Sequence, residues 1–240
     1  MKKRFEWLIV FMIGVLSISI VEATPVGPGS VNVLSNGRYG LSGAGANVTA
    51  IAGNVTQMVF NATSITQTWQ GYYGNITGMI VLGNSNNQSM YNWNLTSPAG
   101  QIYATRVASV PAWTSIQCAT PSAIETEDTN IGANSAVDAD STNNTFTNAT
   151  SFSAFYVGNI NINSSQNCRA IHLFDSAGAP SASFSEVVLS DTADIIYTGL
   201  ITSPTSGFDS ASHQFEMIVG ENGHLGDTAA TPYYFYVELN

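Results

Sequence analysis

The stretch Tyr233–Leu239 reads Tyr-Tyr-Phe-Tyr-Val-Glu-Leu and is the clearest indication of the fold. In an extended chain Tyr233, Phe235, Val237 and Leu239 lie on one face, and the three residues between them lie on the other. This period of two predicts a β-strand with one buried side.

Similar short apolar runs, separated by Gly, Asn, Ser and Pro, recur from Asn47 onward without a long helical period. They predict an all-β fold, a β-sandwich or barrel-like domain of about 10–12 short strands over residues 46–240. The remaining predicted strands are Val48–Ala52, Val55–Phe60, Thr66–Tyr73, Ile76–Leu82, Ser89–Trp93, Gln101–Ala108, Phe152–Ile160, Ala170–Phe174, Phe184–Leu189, Ile195–Leu200 and Gln214–Val219.

Residues 111–150 are rich in Ala, Ser, Thr, Asn and Asp and contain few large apolar residues. This composition predicts a long, loop-rich insertion at the surface. One short helix is expected within it, because Ser122 and Glu125 match a capping box and Pro121 suits a first helical turn.

The first 23 residues have the pattern of a signal peptide. Lys2, Lys3 and Arg4 precede the apolar stretch Leu8–Ile20, and the small residue Ala23 suits cleavage. An apolar stretch of this length is shorter than the ~20 residues that span a bilayer. We expect removal of residues 1–23 and export to the extracellular space or cell surface; the alternative is an uncleaved anchor or pilin-type helix.

Residues 24–45 are rich in Gly and Pro and carry only a brief apolar patch at Val31, Val33 and Leu34. Such a segment packs poorly by itself. Two interpretations stay open: a flexible leader that lies along the domain, or a strand donated to the open sheet edge of a neighbouring subunit.

The chain carries unusually little charge. Charged residues make up 9% of the sequence, against ~25% in ordinary domains. Of the six basic residues only Arg38, Arg106 and Arg169 follow Ala23. Nucleic acids and anionic membranes bind through clustered Lys and Arg, so both are excluded as partners, apart from the membrane during export.

Asn-x-Ser/Thr sequons are abundant and, on an exported chain, predict N-glycosylation at the surface. The nine sequons begin at Asn47, Asn54, Asn61, Asn75, Asn87, Asn94, Asn143, Asn148 and Asn163. The first three are spaced by seven residues, which predicts a turn at Gly53–Asn54 between two strands.

Cys118 and Cys168 are the only cysteines, and an even pair on an exported chain predicts a disulfide. On the chain-entropy estimate such a bond stabilises the fold by ~4 kcal/mol. It would tether the insertion to the β core.

No motif in the sequence singles out a catalytic apparatus or a cofactor. There is no Gly-x-Ser-x-Gly elbow, Walker loop, Cys-x-x-Cys pair or His-x-x-x-His pair. We therefore expect a non-enzymatic protein without a cofactor, although a secreted hydrolase with paired carboxylates stays open, since carboxylate separation depends on the tertiary structure.

The best metal candidate is the run Asp138-Ala-Asp140-Ser-Thr-Asn143, whose alternating oxygen side chains resemble the start of a calcium loop. It lacks the Gly and the terminal Glu of an EF-hand. A solvated acidic loop is the favoured interpretation, with calcium binding as the alternative.

Aromatic residues beside polar amides suggest a second kind of site. Trp69, Tyr72 and Trp93 could stack on sugar rings, as in a lectin-like or adhesive module. The structural interpretation is packing: Trp69 and Tyr73 share a face of one strand, and Gly71 between them leaves room for two rings.

The stretch Thr66–Gly78, Thr-Gln-Thr-Trp-Gln-Gly-Tyr-Tyr-Gly-Asn-Ile-Thr-Gly, resembles a family of secreted archaeal β-rich surface proteins of uncertain function. The likeness continues in Met90–Trp93 with Ser97–Ala104, in Phe184–Leu189, and in Gly220–Thr228 leading into Tyr233–Leu239. The resemblance implies an extracellular or envelope setting and a β-rich fold, and it transfers no catalytic residues.

These observations predict a secreted or cell-envelope structural glycoprotein, a filament or surface-layer subunit that assembles by strand donation. Its expected partners are further copies of itself or other envelope proteins. The alternative is a carbohydrate-binding or adhesive extracellular module whose partners are glycans.

Overall fold

The computed structural model describes residues 24–40, 43–223 and 230–240, so the predicted signal peptide lies outside the described residues. The described part contains fourteen strands and little helix, which confirms the all-β prediction. The strands are β1 Trp69–Gly74, β2 Gly78–Gly83, β3 Ser89–Leu95, β4 Gly100–Thr105, β5 Gln117–Cys118, β6 Phe155–Val157, β7 Ile160–Ile162, β8 Ala170–Phe174, β9 Pro180–Ser190, β10 Ile195–Ile201, β11 Thr205–Ser206, β12 Ser212–His213, β13 Phe215–Gly220 and β14 Tyr234–Leu239. The helices are α1 Pro121–Asn130 and α2 Thr142–Thr145, with 3₁₀ turns at Trp113–Ser115 and Ser164–Gln166.

A six-stranded antiparallel sheet forms the centre of the molecule. Its order is β14-β4-β10-β9-β5, and β8 also pairs with the long strand β9. The remaining strands form two-stranded ribbons, β1–β13, β2–β3, β6–β7 and β11–β12. None of the sheets formed by the described residues closes on itself.

Both faces of the central sheet are covered, because alternate residues of its strands enter two different core clusters. Tyr103 and Leu189 belong to the first cluster, which the β6–β7 hairpin covers. Ile102 and Val188, their neighbours along the same strands, belong to the second cluster together with Met217 and Val219 of β13. The β1–β13 ribbon is thus a second layer packed on this sheet.

The prediction of a single buried side for the last strand is therefore wrong. Phe235, Val237 and Leu239 pack on the second cluster, whereas Tyr236 is buried in the first. Glu238, on the same side as Tyr236, is buried and accepts a hydrogen bond from the Tyr103 hydroxyl at 3.0 Å. A period-two pattern identified the strand, but Tyr236 and Glu238 on its second face are buried, and Glu238 is hydrogen-bonded there.

The segment 111–150 carries α1 and α2 and covers part of the second face of the sheet. Ile124 and Phe146 from this segment are fully buried in the second cluster. Pro121 occupies the first turn of α1, as expected. The helix cap is Thr120, whose hydroxyl accepts from the Ala123 amide at 3.2 Å, so the capping box predicted at Ser122 is wrong.

The predicted disulfide between Cys118 and Cys168 is confirmed, with the two Cα atoms 4.8 Å apart. Cys118 lies on β5, which pairs with β9, and Cys168 precedes β8, which pairs with the same strand. The bond therefore links the segment before α1 to the central sheet, as expected.

Three predicted strands are wrong. The predicted strand Phe152–Ile160 is instead a hairpin of β6 and β7 with a turn at residues 158–159. Residues 48–52 and 55–60 form no strand, and the first strand of the structure is β1. The predicted turn at Gly53 and Asn54 is present, since the Asn54 amide donates to the Ile51 carbonyl at 3.2 Å and Gly53 has φ of +87°. No helix among the described residues is long and apolar enough to span a bilayer.

Candidate assembly surface

The N-terminal arm, defined here as residues 27–40 and 43–65, is extended and exposed. It contains no strand or helix. Its large apolar side chains point into solvent, with Leu34, Val55 and Val59 exposed to 94%, 100% and 91%. Monomeric soluble proteins rarely expose apolar residues in such density, and surfaces that do so mark interaction sites.

Both ends of the arm are attached to the body of the same chain. At one end Val26 forms an isolated antiparallel bridge with Val237 of β14, with N···O distances of 3.0 and 2.8 Å. At the other end the hydroxyls of Thr66 and Thr68 donate to the Asp140 carboxylate at 2.7 and 2.9 Å. The arm is therefore attached to the body on both sides of its exposed apolar residues.

The bridge at Val26 covers only a short part of the β14 edge. In an antiparallel ladder the next hydrogen-bonded pair along the strand would join Pro28 to Phe235. Proline has no amide hydrogen to donate, so the pairing cannot continue through this position. β14 thus remains an edge strand of the central sheet among the described residues.

A second exposed apolar element is the β2–β3 hairpin. Four consecutive apolar residues, Met79–Leu82, are each between 42% and 53% exposed, and Met90 and Trp93 on β3 are exposed to 83% and 49%. Consecutive apolar residues are typical of a strand that is buried on both faces. This hairpin pairs with no further strand in the described part of the chain.

The arm and the hairpin share one feature of composition. Between Arg38 and Arg106 the sequence contains no Asp, Glu, Lys, Arg or His, and every acidic residue after the predicted cleavage site follows Arg106. Charged side chains are the usual means by which proteins prevent exposed strands from pairing. This uncharged stretch and the Met79–Leu82 run are features of the sequence as a whole that the pattern of any single strand does not show.

The three aromatic residues predicted to bind glycans are not brought together. The Trp69 indole donates to the Asp140 carbonyl at 2.6 Å, and its ring packs 5.8 Å from that of Phe146. Tyr72 packs edge-on against Phe235 at 5.2 Å, and burial raises the pKa of its hydroxyl, with Glu221 adding to the effect. These two side chains support the packing interpretation.

Tyr73, predicted to pack with Trp69, instead contacts Phe208 and His213 with ring centroids 4.9 and 4.8 Å away. Trp93 lies elsewhere, on the hairpin, where Tyr91 is its aromatic neighbour at 4.9 Å. Of the three aromatic residues predicted to bind glycans, Trp93 is the one that is exposed.

The nine predicted glycosylation sites fall into two groups. Asn143 and Asn163 are partly buried, and their amide nitrogens donate to the Ser135 carbonyl at 3.1 Å and to the Asn161 side chain at 2.8 Å. The other sequon asparagines are exposed, namely Asn47, Asn54, Asn61, Asn75, Asn87, Asn94 and Asn148.

The predicted calcium ligands act as separate hydrogen-bond partners within the fold. The Asp138 carboxylate accepts from the Asn134 amide at 2.7 Å, and hydrogen bonds from Thr66 lower the pKa of Asp140. Asn143 donates to a carbonyl, as described above. Residues 24–40, 43–223 and 230–240 contain no group of three or more His, Cys, Asp and Glu side chains that could hold a metal ion.

A cleft of about 250 Å³ lies between α1 and β10. Arg106 pairs with Glu127 at its base, and the Tyr197 hydroxyl donates to the other Glu127 oxygen at 2.8 Å. Burial raises the pKa of Glu127, while Arg106 and Tyr197 oppose the shift. Because both carboxylate oxygens already have partners, this arrangement is that of a structural ion pair.

The two histidines in the described part of the chain also form hydrogen bonds within the fold. His172 lies 2.8 Å from the Ser151 carbonyl, and His213 lies 2.7 Å from the Asp209 carboxylate. Neither pairing includes a serine hydroxyl as a nucleophile would require.

The chain matches no family model, no curated protein and no solved structure.

Proposed function

We propose that this protein is a non-enzymatic structural glycoprotein of the extracellular space or cell envelope, a filament or surface-layer subunit that assembles by strand donation. The observation that supports this proposal best is the exposed N-terminal arm, which carries no charged residue after Arg38 and whose large apolar side chains, such as Leu34, Val55 and Val59, lie in solvent. Covering each such side chain contributes about 1.5–3 kcal/mol. Contact with a partner that covers these side chains is therefore favoured over their exposure to water.

Export is supported by the disulfide and by the first 23 residues. Disulfides such as Cys118–Cys168 persist in oxidising compartments and are rare in the reducing cytosol. The resemblance to secreted archaeal surface proteins points the same way, as do the seven exposed sequons.

The experiment is electron microscopy and light scattering of the mature, natively glycosylated protein. We expect regular polymers, and we expect them to be lost when the apolar arm residues Val55, Met58, Val59 and Phe60 are changed to Ser. The body should stay folded, because none of these side chains is buried. An intact protein that remains monomeric at high concentration contradicts the proposal.

A carbohydrate-binding module is the second candidate, and the exposed pair Tyr91 and Trp93 is the observation that favours it. Exposed aromatic rings can stack on sugars. Dispersed monomers that bind a glycan array, and that lose binding in Trp93→Ala but not in Tyr156→Ala, would favour this function. Tyr156 is a matched control, since it is exposed to 54% on another hairpin.

A further inference from the structure

The β2–β3 hairpin is incomplete as a structural unit. A two-stranded ribbon has marginal stability in water, and independent stability requires a third strand or a packed face. The base of the hairpin lies against β14 at Gly78, where an added Cβ would lie 2.4 Å from the Leu239 side chain. The rest of the hairpin has no strand partner in the described chain and exposes apolar side chains on both faces.

The arm contains a segment with matching properties. Val55–Phe60 has six residues, the same length as β2, Gly78–Gly83. In an extended conformation Val55 and Val59 face one side, and Met58 and Phe60 face the other, so both sides are apolar. The turn at Gly53 bounds the segment at one end, and the sequon at Asn61 bounds it at the other.

We propose that Val55–Phe60 of one copy adds to the β2–β3 hairpin of a neighbouring copy as its third strand. This inference rests on the proposed function and names the donor and the acceptor. Backbone hydrogen bonds to the free hairpin edge supply affinity, and the apolar side chains of both elements cover one another. No charged group loses its hydration in this contact, because neither element contains one.

The distribution of charge favours contact between copies at this place. All acidic residues after the predicted cleavage site lie C-terminal to Arg106, so the bodies of two copies repel one another. The hairpin, and the arm after Arg38, contain no charged residue, so this repulsion is weakest there. Since donor and acceptor are different surfaces, the contact is head-to-tail, and it extends into an open polymer when the rotation between copies does not close a ring.

The test mixes two single-cysteine variants of the full-length mature protein, Val59→Cys and Val81→Cys, with a short bis-maleimide. The native cysteines form the disulfide, and the described residues contain no free cysteine that would compete. We expect cross-linked dimers that contain one chain of each kind. The matched controls are Val33→Cys in place of Val59→Cys, and Tyr234→Cys on β14 in place of Val81→Cys, each with at least ten-fold less cross-linking.

Polymers that cross-link to Tyr234→Cys instead of Val81→Cys would show that the β14 edge is the acceptor, and they would overturn this inference while leaving the proposed function intact. A cross-link that forms only within a Val59→Cys/Val81→Cys double variant would overturn it as well. Monomers by light scattering, without any intermolecular cross-link, would contradict both proposals.

A charge placed in the donor provides an independent measurement. We expect Val59→Lys to abolish polymers, because strand addition would bury an unpaired ammonium group, whereas Val33→Lys should still polymerise. Both variants should keep the thermal midpoint of the wild-type body, since both side chains are at least 80% exposed. Polymerisation of Val59→Lys at the wild-type level would count against the inference.

Discussion

Phe60 in the N-terminal arm is 79% exposed, whereas Phe146 in the body is fully buried against Trp69 and Tyr197. The arm and the body thus use the same residue type in opposite environments. In the body, apolar side chains are accompanied by acidic residues at the surface and by paired polar groups in the interior. In the hairpin, and in the arm after Arg38, no charged residue accompanies them.

The difference separates the side chains that stabilise the fold of one chain from those that would stabilise contacts between chains. A buried side chain such as Phe146 contributes to the free energy of unfolding of its own copy. An exposed side chain such as Phe60 contributes nothing until a partner covers it. Measurements of stability and of assembly should therefore separate the two regions.

The largest expected effect comes from paired truncations of these two residues. Phe146→Ala should lower the free energy of unfolding by about 3–5 kcal/mol, because it leaves a cavity in the second core cluster. Phe60→Ala should change it by less than about 0.5 kcal/mol and should weaken assembly instead. Denaturant unfolding and light scattering measure the two quantities. Equal losses of stability in both variants would contradict the comparison.

Removal of the disulfide should act on the body alone. We expect Cys118→Ser/Cys168→Ser to lower the free energy of unfolding by about 4 kcal/mol, because a loop of 50 residues is no longer closed in the unfolded chain. At temperatures below its lowered thermal midpoint, the double variant is still folded, and it should still assemble through the arm. A variant that retains its stability but no longer assembles would show that the two regions are coupled.

A smaller effect concerns pH. Burial raises the pKa of the carboxyl groups of Glu127, Glu186 and Glu238. A folded-state pKa above the unfolded value means that the stabilisation is complete below the ordinary carboxyl pKa and is lost as pH rises through the folded value. The contribution of these three groups to the free energy of unfolding should therefore fall from acidic to neutral pH, whereas Asp140 and Asp191, whose pKa values are lowered by hydrogen bonds, contribute in the opposite direction.

Glu186→Gln tests the cause of this trend. One Glu186 oxygen accepts from the Ile218 amide at 2.9 Å, a role that the amide oxygen of Gln can keep, and the other is buried without a partner among the described residues. Each unit of difference between the folded-state and unfolded-state pKa of a group corresponds to about 1.4 kcal/mol in the free energy of unfolding. Denaturant unfolding between pH 4 and 8 should show a flatter dependence in this variant, while the exposed control Glu125→Gln should keep the wild-type slope.

The smallest expected effect is the change in glycan mass when the two hydrogen-bonded sequon asparagines are replaced. Asn143→Gln and Asn163→Gln should leave the glycan mass unchanged, because their amide nitrogens are already hydrogen-bonded inside the fold. Asn54→Gln and Asn61→Gln should each remove one glycan. Intact-mass measurement with and without deglycosylation distinguishes these cases, and a glycan on Asn163 would contradict the expectation.

The sequence predicted most of the body because the signals for strands are local. β8 was predicted with its observed bounds, and β10 and β14 to within one residue at their ends. The same rule failed at Val48–Ala52 and Val55–Phe60, where the apolar pattern suits a strand but the chain offers no neighbour to pair with. A β-strand forms only where a second strand accepts and donates its backbone hydrogen bonds, and the local periodicity of a sequence does not show whether such a strand is present.

The candidate surface was predicted only in part. Strand donation was expected from residues 24–45, but the segment with the most suitable properties lies further on, at Val55–Phe60. Trp69 was a candidate glycan-binding residue, yet its indole lies against Phe146 and the Asp140 carbonyl. These assignments depend on contacts between residues some 70 positions apart, which composition and spacing do not specify.

The amino-acid sequence by itself determined the all-β class, the single possible pairing of Cys118 with Cys168, and the absence of charge between Arg38 and Arg106. Only the tertiary structure decided that both faces of β14 are covered and that the arm and the hairpin are left exposed. The reason is physical: alternation and cysteine number are properties of the chain, whereas burial depends on which apolar surfaces find a partner when the chain packs.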